Sequence, residues 1–460
     1  MSSGPNVLLI VLDSVRAANT SLHDHRHETT PFLTEFAAES TVYTQARAPS
    51  TWSLPSHGSL FTGLSAPDHG IEITTEMVPG DTVWDDLSDA GYDTGVFSSN
   101  VYITDHPVGL GEPFDTVEGV PSEVPSGYEQ PGDFDMEAPN GFWYTEQFLD
   151  WTADRDEPWA ACVNVMDGHR PYLPLEEFDE WGDEEAWRVQ SEIGRGQFVW
   201  QFYGDRYPFW YLAALERLYD GAIRQADAVT ERLLSGLAER GDLDDTLVVV
   251  TSDHGDGLGE RSPVPGGPES LAHTLGTHEH LTHVPLLVRE PGQTDGETVT
   301  DLATLSRFPA AVERWVDGVS GFGGDDDGGG DGEDGDEPPA FAASDGEYLT
   351  YRRPIDGPKL RTAEEFCGDD YERYVGDSAA LYRDLPGNAV EKVALWQDRA
   401  TRVRAHDAQG RIRVGEGDPA VVQDRIADER AGDSLAVPRE QDEEELPDEV
   451  LEHLKNIGYK

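Results

Sequence analysis

The stretch LERLYDGAIRQADAVTERLLSGLAERGDLDDTLVVVTSDHGD, residues 215–256, determines the fold prediction. Its first part repeats apolar residues with a period of about 3.6, which predicts a helix that buries one face. The apolar positions are Leu215, Leu218, Ile223, Ala226, Val229 and Leu233. A polar turn follows, and the apolar run LVVV is typical of a strand that is buried on both faces. The stretch is therefore one helix-to-strand unit of a parallel sheet.

The same kind of unit recurs along the chain. Helix-like segments precede apolar strands in residues 82–99 and 143–166, and further strand-like runs occupy 7–12, 40–48 and 281–290. Helices that alternate with apolar strands indicate a mostly parallel sheet with helices on both faces. We therefore predict an α/β fold with a large, mostly parallel mixed sheet sandwiched by helices.

The domain organisation follows from changes in composition. Residues 1–320 are predicted to form the catalytic α/β domain, and residues 321–339, rich in Gly and Asp, a flexible acidic loop. Short strand-like segments at 347–354, 379–386 and 411–417 predict a small antiparallel sheet in a C-terminal α+β domain, residues 340–460. This domain is expected to end in an amphipathic helix at 448–459.

The charge balance is extreme. The chain of 460 residues has 91 acidic and 33 basic residues and a net charge of -58. Such a surface repels nucleic acid and anionic membranes, which are therefore excluded as partners. Because 37% of the residues are hydrophobic and 11 are Trp, disorder does not explain the acidity. We interpret it as adaptation to high salt, as in an extreme halophile.

Cysteine content and hydropathy limit the remaining classes. The two cysteines, Cys162 and Cys367, cannot form a disulfide framework or a cysteine metal cage. The apolar run at 7–12 is too short for a membrane span and lacks the features of a signal peptide. We therefore expect a cytoplasmic protein.

Polar side chains follow several of the predicted strands. Asp13, Ser53, His169 and the pair Asp253 and His254 all lie at strand ends or in the next loop. Functional groups gather at the carboxyl ends of parallel strands, so we expect these side chains to meet. Two carboxylates and an imidazole suit a divalent cation, which would activate a hydroxyl such as that of Ser53 as a nucleophile. Taken singly, Ser53 also suits a helix N-cap, and the Asp and His residues suit turns.

The ordered motifs resemble the sulfatases of the alkaline phosphatase superfamily. They are NVLLIVLDSVRA (6–17), TTPFLTEFAAES (29–40), APSTWSLPSHGSLFTGL (48–64), HRPY (169–172), YDGAIRQAD (219–227), TSDHGDGLGE (251–260), HVPLLVREPG (283–292) and LPDEVLEHLKNIGY (446–459). The resemblance implies an α/β sandwich with a smaller C-terminal domain, and hydrolysis of sulfate or phosphate esters at a metal-bound nucleophile.

The resemblance also implies roles for individual residues. Asp13, Asp253 and His254 match metal ligands, with Ser53 as a further ligand and Ca²⁺ as the expected ion; Mg²⁺, Mn²⁺ and Zn²⁺ are alternatives. Ser14 stands where the family has a second early aspartate. His169 matches the histidine that protonates the leaving oxygen, and His273 lies near a Lys or His that binds the sulfuryl oxygens. We also expect Asn100 and Ser14 to contact the substrate.

Ser53 occupies the position of the cysteine that the family oxidises to formylglycine. The family motif continues with Pro, Ser and Arg, whereas His57 replaces the Arg here and is a further catalytic candidate. Ser53 is therefore either oxidised to formylglycine or used as an unmodified nucleophile, as in phosphate-transferring relatives.

Three functions follow from this pattern. The first is a metal-dependent hydrolase of sulfate monoesters, and the second is a phosphoesterase or phosphotransferase that uses unmodified Ser53. The third is a catalytically inactive binding protein on the same fold. For the two enzymes the expected partner is a small-molecule or carbohydrate sulfate or phosphate ester.

Overall fold

The structure is a computed structural model. It describes residues 4–132, 138–153, 155, 158–193, 198–322, 338–355, 357–386, 389–405, 411–431 and 434–438. Most of the predicted acidic loop and the whole predicted terminal helix lie outside these residues. The predicted domain boundaries stay a prediction.

The strands occur throughout the described part of the chain. They are β1 (Asn6–Leu12), β2 (Thr41–Arg47), β3 (Thr75–Met77), β4 (Asp93–Phe97), β5 (Thr116–Glu118), β6 (Trp159–Val165), β7 (Thr246–Thr251), β8 (Leu286–Arg289), β9 (Glu297–Thr304), β10 (Glu347–Arg352), β11 (Ser378–Leu385), β12 (Ala389–Trp396), β13 (Arg399–Ala405), β14 (Arg411–Glu416) and β15 (Ala436–Pro438). Eight of those described form one large sheet in the order β5-β4-β6-β1-β7-β8-β2-β9.

Helices connect and cover these strands. They are α1 (Pro31–Phe36), α2 (Ser53–Thr62), α3 (Ala66–His69), α4 (Val83–Asp89), α5 (Val101–Thr104), α6 (Gly141–Ala153), α7 (Glu184–Ile193), α8 (Phe198–Tyr203), α9 (Trp210–Arg240), α10 (Glu279–Thr282), α11 (Phe308–Glu313), α12 (Gly357–Cys367) and α13 (Pro419–Glu429). Among the described residues, no helix combines the length and the apolarity needed to cross a lipid bilayer.

The large sheet is mixed because of one strand. Strand β8 pairs antiparallel with both β7 and β2, whereas the other pairings in this sheet are parallel. The carboxyl ends of β4, β6, β1, β7 and β2 therefore lie at the same edge. The predicted α/β fold with a large mixed sheet is confirmed.

Strand β1 shows why helices cover both faces of the sheet. Its even-numbered residues Leu8, Ile10 and Leu12 pack into one core with side chains from α6, α7 and α9. Val7, Leu9 and Val11 point the other way and pack with side chains from α2, α4 and α11. Strand side chains alternate between faces, so an unbroken apolar run is the pattern of a strand buried on both sides.

The C-terminal part contains a second sheet. Strands β10 to β14 pair antiparallel in sequence order. This confirms the predicted small antiparallel sheet, which has two strands, β12 and β13, that the sequence analysis did not identify. A separate ribbon pairs β15 with β3 of the N-terminal part.

A buried group of charges connects the two sheets. The Arg47 guanidinium of β2 lies 2.7 Å from Glu279 Oε1, and Lys392 Nζ of β12 lies 3.0 Å from Glu279 Oε2. Burial alone would raise the pKa of Glu279, but Lys392 and Arg47 hold it well below its ordinary value. Because a buried charge that loses its partner is costly, this group favours one arrangement of the small sheet on the large one.

We expect the stability of the fold to rise with salt. Like charges interact over ~10 Å at 0.1 M salt and only ~3 Å at 1 M, so salt relieves the repulsion within a chain of net charge -58. Thermal unfolding followed by circular dichroism should therefore show a higher midpoint in 1 M than in 0.1 M KCl. Sucrose stabilises folded proteins without screening charge, so a comparison with sucrose separates charge screening from general stabilisation by a cosolute. Equal midpoints in both salt concentrations would contradict the halophile interpretation.

Candidate metal and nucleophile site

Four adjacent parallel strands bring the predicted side chains to one edge of the sheet. The strands are adjacent in the order β4, β6, β1 and β7. Asn100 follows β4, His169 follows β6 and Asp13 follows β1, while the pair Asp253 and His254 follows β7. All of these residues are buried. Their convergence follows from the parallel topology, since the carboxyl ends of parallel strands share an edge.

Ser53 is the first residue of α2, which follows β2 at the same edge. The capping position is Trp52, whose side chain makes no capping bond. Ser53 Oγ instead lies 3.4 Å from Asp13 Oδ2, to which it donates, and 3.3 Å from His254 Nε2. The Ser53 hydroxyl therefore points into the cluster of polar side chains.

Asp13 accepts hydrogen bonds from several neighbours. Its Oδ2 accepts from Asn100 Nδ2 at 2.9 Å and from Asn164 Nδ2 at 3.4 Å, while Oδ1 accepts from Ser14 Oγ at 3.0 Å. Burial alone would raise the pKa of Asp13, but the charged forms of His169 and His254, together with other nearby histidines, hold it below its ordinary value. Asp13 is therefore an anionic carboxylate held in a fixed orientation.

Only one of the two carboxylate oxygens of Asp253 accepts hydrogen bonds in the described part of the chain. Its Oδ1 accepts from the backbone amides of His254 at 2.9 Å and Ser14 at 3.2 Å. Its Oδ2 is buried and has no hydrogen-bond partner in the described part of the chain. Burial and the negative charge of Asp13 raise the pKa of Asp253. A bound cation would give Asp253 Oδ2 a partner and would reduce the repulsion between the carboxylates of Asp13 and Asp253.

Asp13, Asp253 and His254 could hold a metal ion, because one ligand atom from each lies within 4.8 Å of the others. Two carboxylates and one imidazole suit several divalent cations, and the oxygen donors suit Ca²⁺ and Mg²⁺. Ser14 adds no charge, and its backbone adopts a left-handed conformation with φ 64°. Its carbonyl accepts from Tyr219 Oη at 2.6 Å, which stabilises this strained turn beside the site.

Three predicted histidines also lie in the cluster. The rings of His254 and His273 are 4.7 Å apart, and those of His169 and His273 are 5.3 Å apart. His57 lies one helical turn after Ser53; its Nδ1 bonds the Ser53 carbonyl at 2.9 Å and is 3.7 Å from Asp253 Oδ2. The structure thus brings together all the residues predicted for the site, and their individual roles stay predictions.

Sequence analysis missed two residues of this cluster. Asn164 lies inside the apolar strand β6, and its only signal was an amide within the buried run WAACVNV. Asp256 was visible in the motif TSDHGD, and it lies with its Oδ1 3.8 Å from His273 Nδ1. Tyr172 donates to Asp256 Oδ2 at 2.5 Å, which fixes this carboxylate.

Asn164 is expected to position Asp13. Its Oδ1 accepts from Ser98 Oγ at 2.7 Å, which orients the amide so that Nδ2 faces Asp13. Asn164→Ala should weaken metal binding and lower turnover, each by about 10 to 100-fold, as for other groups that orient metal ligands. Metal titration of the purified variant measures the first effect. Cys162→Ala is the matched control, because Cys162 is buried on the same face of β6; an equal loss in both variants would assign the effect to packing.

Curated relatives share part of this sequence. The chain is 32% identical over 186 residues to a choline-sulfatase of Rhizobium meliloti (strain 1021), which covers 35% of this chain and 34% of the relative. It is 24% identical over 251 residues to the multifunctional alkaline phosphatase superfamily protein PehA of Trinickia caryophylli, covering 48% of this chain and 47% of the relative. The chain therefore matches between about a third and a half of these relatives' lengths.

Solved structures share the fold. The phosphonate monoester hydrolase SpPMH of Silicibacter pomeroyi superposes with a TM-score of 0.59 at 20% identity, covering 93% of this chain and 94% of that one. The corresponding enzyme of Agrobacterium radiobacter gives 0.57 at 18% identity, with 93% of each chain covered. The structure of BT4656 in complex with its substrate D-glucosamine-2-N,6-O-disulfate gives 0.61 at 16% identity, covering 93% and 97%.

The family assignment rests on the match to a family model. The model of the family described as Sulfatase matches residues 5–318, which include Asp13, Ser53, His169, Asp253 and His254. The chain belongs to the sulfatase family.

Proposed function

We propose that the chain is a metal-dependent hydrolase of sulfate or phosphate-type monoesters with Ser53 as its nucleophile. One observation carries this proposal: Ser53 Oγ lies within 3.4 Å of both Asp13 Oδ2 and His254 Nε2, two atoms that belong to the candidate metal ligands. Convergent titratable groups in one cluster are also typical of active sites.

Asp13, Asp253 and His254 would hold a divalent cation, with the Ser53 hydroxyl as a further ligand. When bound, the cation would supply Lewis acid stabilisation of negative charge and would lower the pKa of the hydroxyl. The buried Asp253 Oδ2, which has no hydrogen-bond partner in the described residues, supports this assignment.

The proposed reaction uses the remaining side chains in sequence. Ser53 Oγ forms a bond to sulfur or phosphorus as the bond to the ester oxygen breaks, and its proton is released to solvent, because Asp13 Oδ2 and His254 Nε2 would be occupied by the cation. His169 donates a proton to the departing oxygen. Burial lowers the pKa of His169 against the opposite effect of Asp13 and Asp256, so its protonated form is less populated but gives up its proton more readily.

Sulfate monoesters are the first candidate substrates. Membership of the sulfatase family and the likeness to choline-sulfatase support them. A plain serine, however, would form a sulfoserine that turns over slowly, whereas a formylglycine hydrate expels sulfate by breaking its own carbon–oxygen bond. This candidate therefore requires oxidation of Ser53.

Phosphate and phosphonate monoesters are the second candidates. His57 stands where the family motif has an arginine, and its imidazole bonds the Ser53 carbonyl. The loss of that arginine favours an unmodified serine, and water can reverse phosphoryl transfer to a serine. The fold shared with two phosphonate monoester hydrolases agrees with this chemistry.

A substrate screen tests the proposal. The chelated enzyme is supplied with Ca²⁺, Mg²⁺, Mn²⁺ or Zn²⁺ and assayed on 4-nitrophenyl sulfate, 4-nitrophenyl phosphate and 4-nitrophenyl phenylphosphonate in molar salt. We expect metal-dependent turnover of one ester class. If the protein binds metal but hydrolyses none of these esters, the result would instead favour the hypothesis of a catalytically inactive binding protein.

A further inference from the structure

A second group of metal-binding side chains lies outside the candidate active site. His25 and His27 belong to the segment before α1, and Asp220 belongs to α9. His25 Nε2 lies 3.1 Å from Asp220 Oδ2, and His27 Nδ1 lies 2.7 Å from the same oxygen. Three side chains from segments about 195 positions apart therefore converge on one point.

The geometry suits a tetrahedral ion. Zinc bonds of about 2.0–2.2 Å to nitrogen and oxygen place neighbouring ligand atoms about 3.4 Å apart. The candidate ligand atoms of His25, His27 and Asp220 lie within 4.8 Å of one another. Small adjustments of two imidazoles would therefore create the site. The His27 side chain is 25% exposed, so solvent reaches this side of the group.

Neighbouring residues fix the orientation of the group. Asn19 Nδ2 donates to Asp220 Oδ1 at 2.6 Å, and Asn19 Oδ1 in turn accepts from Arg16 Nε at 2.5 Å. The ring of His27 stacks on Trp181, with centroids 4.7 Å apart and planes 1° apart. Such support around the ligands is typical of metal sites, where outer hydrogen bonds orient the ligating groups.

The arginine between the two histidines turns away from the group. The Arg26 side chain is 60% exposed and approaches Glu216 Oε2 at 3.7 Å. Asp220 is fully buried, so its carboxylate depends on the two imidazoles and Asn19 for compensation.

We propose that His25, His27 and Asp220 form a second metal site, which takes a transition-metal ion of the zinc class. Two imidazole nitrogens and one carboxylate oxygen favour Zn²⁺, Co²⁺ or Ni²⁺ over Ca²⁺ and Mg²⁺, which prefer oxygen. Binding would connect the segment that follows β1 to α9. The proposal is independent of the chemistry at Ser53.

Metal stoichiometry tests the proposal. Asp253→Asn in the full chain removes a ligand of the first site, and the chelated variant is then dialysed against Zn²⁺ alone at pH 7.5. We expect one equivalent of zinc to remain bound, and Co²⁺ in its place should give the visible absorption of a tetrahedral complex.

Paired substitutions separate metal binding from hydrogen bonding. In the Asp253→Asn background, His25→Gln and His27→Asn keep an amide N–H near Asp220 but remove the imidazole nitrogens. Zinc affinity should fall at least tenfold in each, while circular dichroism shows an unchanged fold; Asn19→Ala should lower affinity by about 10 to 100-fold. Arg26→Gln is the matched control and should bind zinc as the parent does.

Two results would overturn the second site. The first is no bound zinc in the Asp253→Asn protein under conditions in which its unfolding is cooperative. The second is equal zinc affinity in the parent and in the protein with both histidines replaced, since the histidines would then serve only as hydrogen-bond donors. Because the readout is bound metal, neither result depends on ester hydrolysis.

Discussion

Asp253→Asn is expected to release the cation of the first site and to lower turnover sharply, while the metal-free protein stays folded. The substitution keeps the shape of the side chain but removes its charge. A lost contribution of about 4 kcal/mol to the transition state corresponds to about 10³-fold in rate. Activity with each divalent cation and the bound metal content are the two measurements.

The same substitution is expected to preserve or raise the stability of the metal-free protein, although it lowers activity. Burial and the charge of Asp13 raise the pKa of Asp253, so its ionised form is disfavoured in the metal-free fold. The neutral amide introduced by Asp253→Asn would carry no such penalty, and we expect the chelated variant to unfold at the same or a higher temperature than the chelated parent. Loss of activity together with higher stability is the expected sign of a residue kept for function.

Asp227→Asn provides the matched control for Asp253→Asn. Asp227 is a buried carboxylate of α9 that accepts from the amides of Phe32 at 2.9 Å and Leu33 at 3.0 Å. Its replacement should leave both metal content and activity unchanged. If Asp253→Asn retains full metal content and activity, Asp253 is not a ligand and the proposed site is wrong.

The positions of the catalytic candidates could be predicted because they follow strands closely. Asp13 comes immediately after β1, and only Ser252 separates β7 from the pair Asp253 and His254. An unbroken apolar run marks such a strand, and the parallel topology then places its carboxyl end at the shared edge. Local sequence is sufficient for this inference because each side chain lies so near the end of its strand.

Contacts between distant segments could not be predicted in this way. Asn164 lies within a strand, and only the neighbouring strand shows that its amide faces Asp13. Asp220 meets His25 and His27 across about 195 positions, and the apolar periodicity of α9 does not indicate which buried polar residue has a partner. The antiparallel direction of β8 depends on the path of the chain between strands, which composition does not reveal.

Ser53→Ala is expected to have the largest effect of any single substitution, on the order of 10⁴-fold or more in turnover, as for other catalytic nucleophiles. Ser53 does not cap α2, because the capping position is Trp52, and its two hydroxyl contacts are 3.3 and 3.4 Å long. Removing the hydroxyl should therefore change stability by about 1 kcal/mol or less. Steady-state kinetics and thermal unfolding of the same preparation measure the two effects.

Ser59→Ala is the matched control for Ser53→Ala. Ser59 is buried in the same helix and its hydroxyl lies 3.1 Å from His69 Nε2, on a contact separate from the metal ligands. We expect this variant to lose stability by about 1 kcal/mol and to retain its activity. Full activity in Ser53→Ala would remove the nucleophile from the proposed mechanism.

The chemical state of Ser53 then distinguishes the two ester classes. If the residue is oxidised to formylglycine, the peptide that contains TWSLPSH loses two hydrogens and reacts with aldehyde reagents, and sulfate esters should be the better substrates. If it stays serine, a quenched turnover of a phosphate ester should leave phosphate on Ser53. The second result would agree with His57, which stands in place of the arginine of the family's oxidation motif. A formylglycine would show instead that maturation of this chain does not require the arginine.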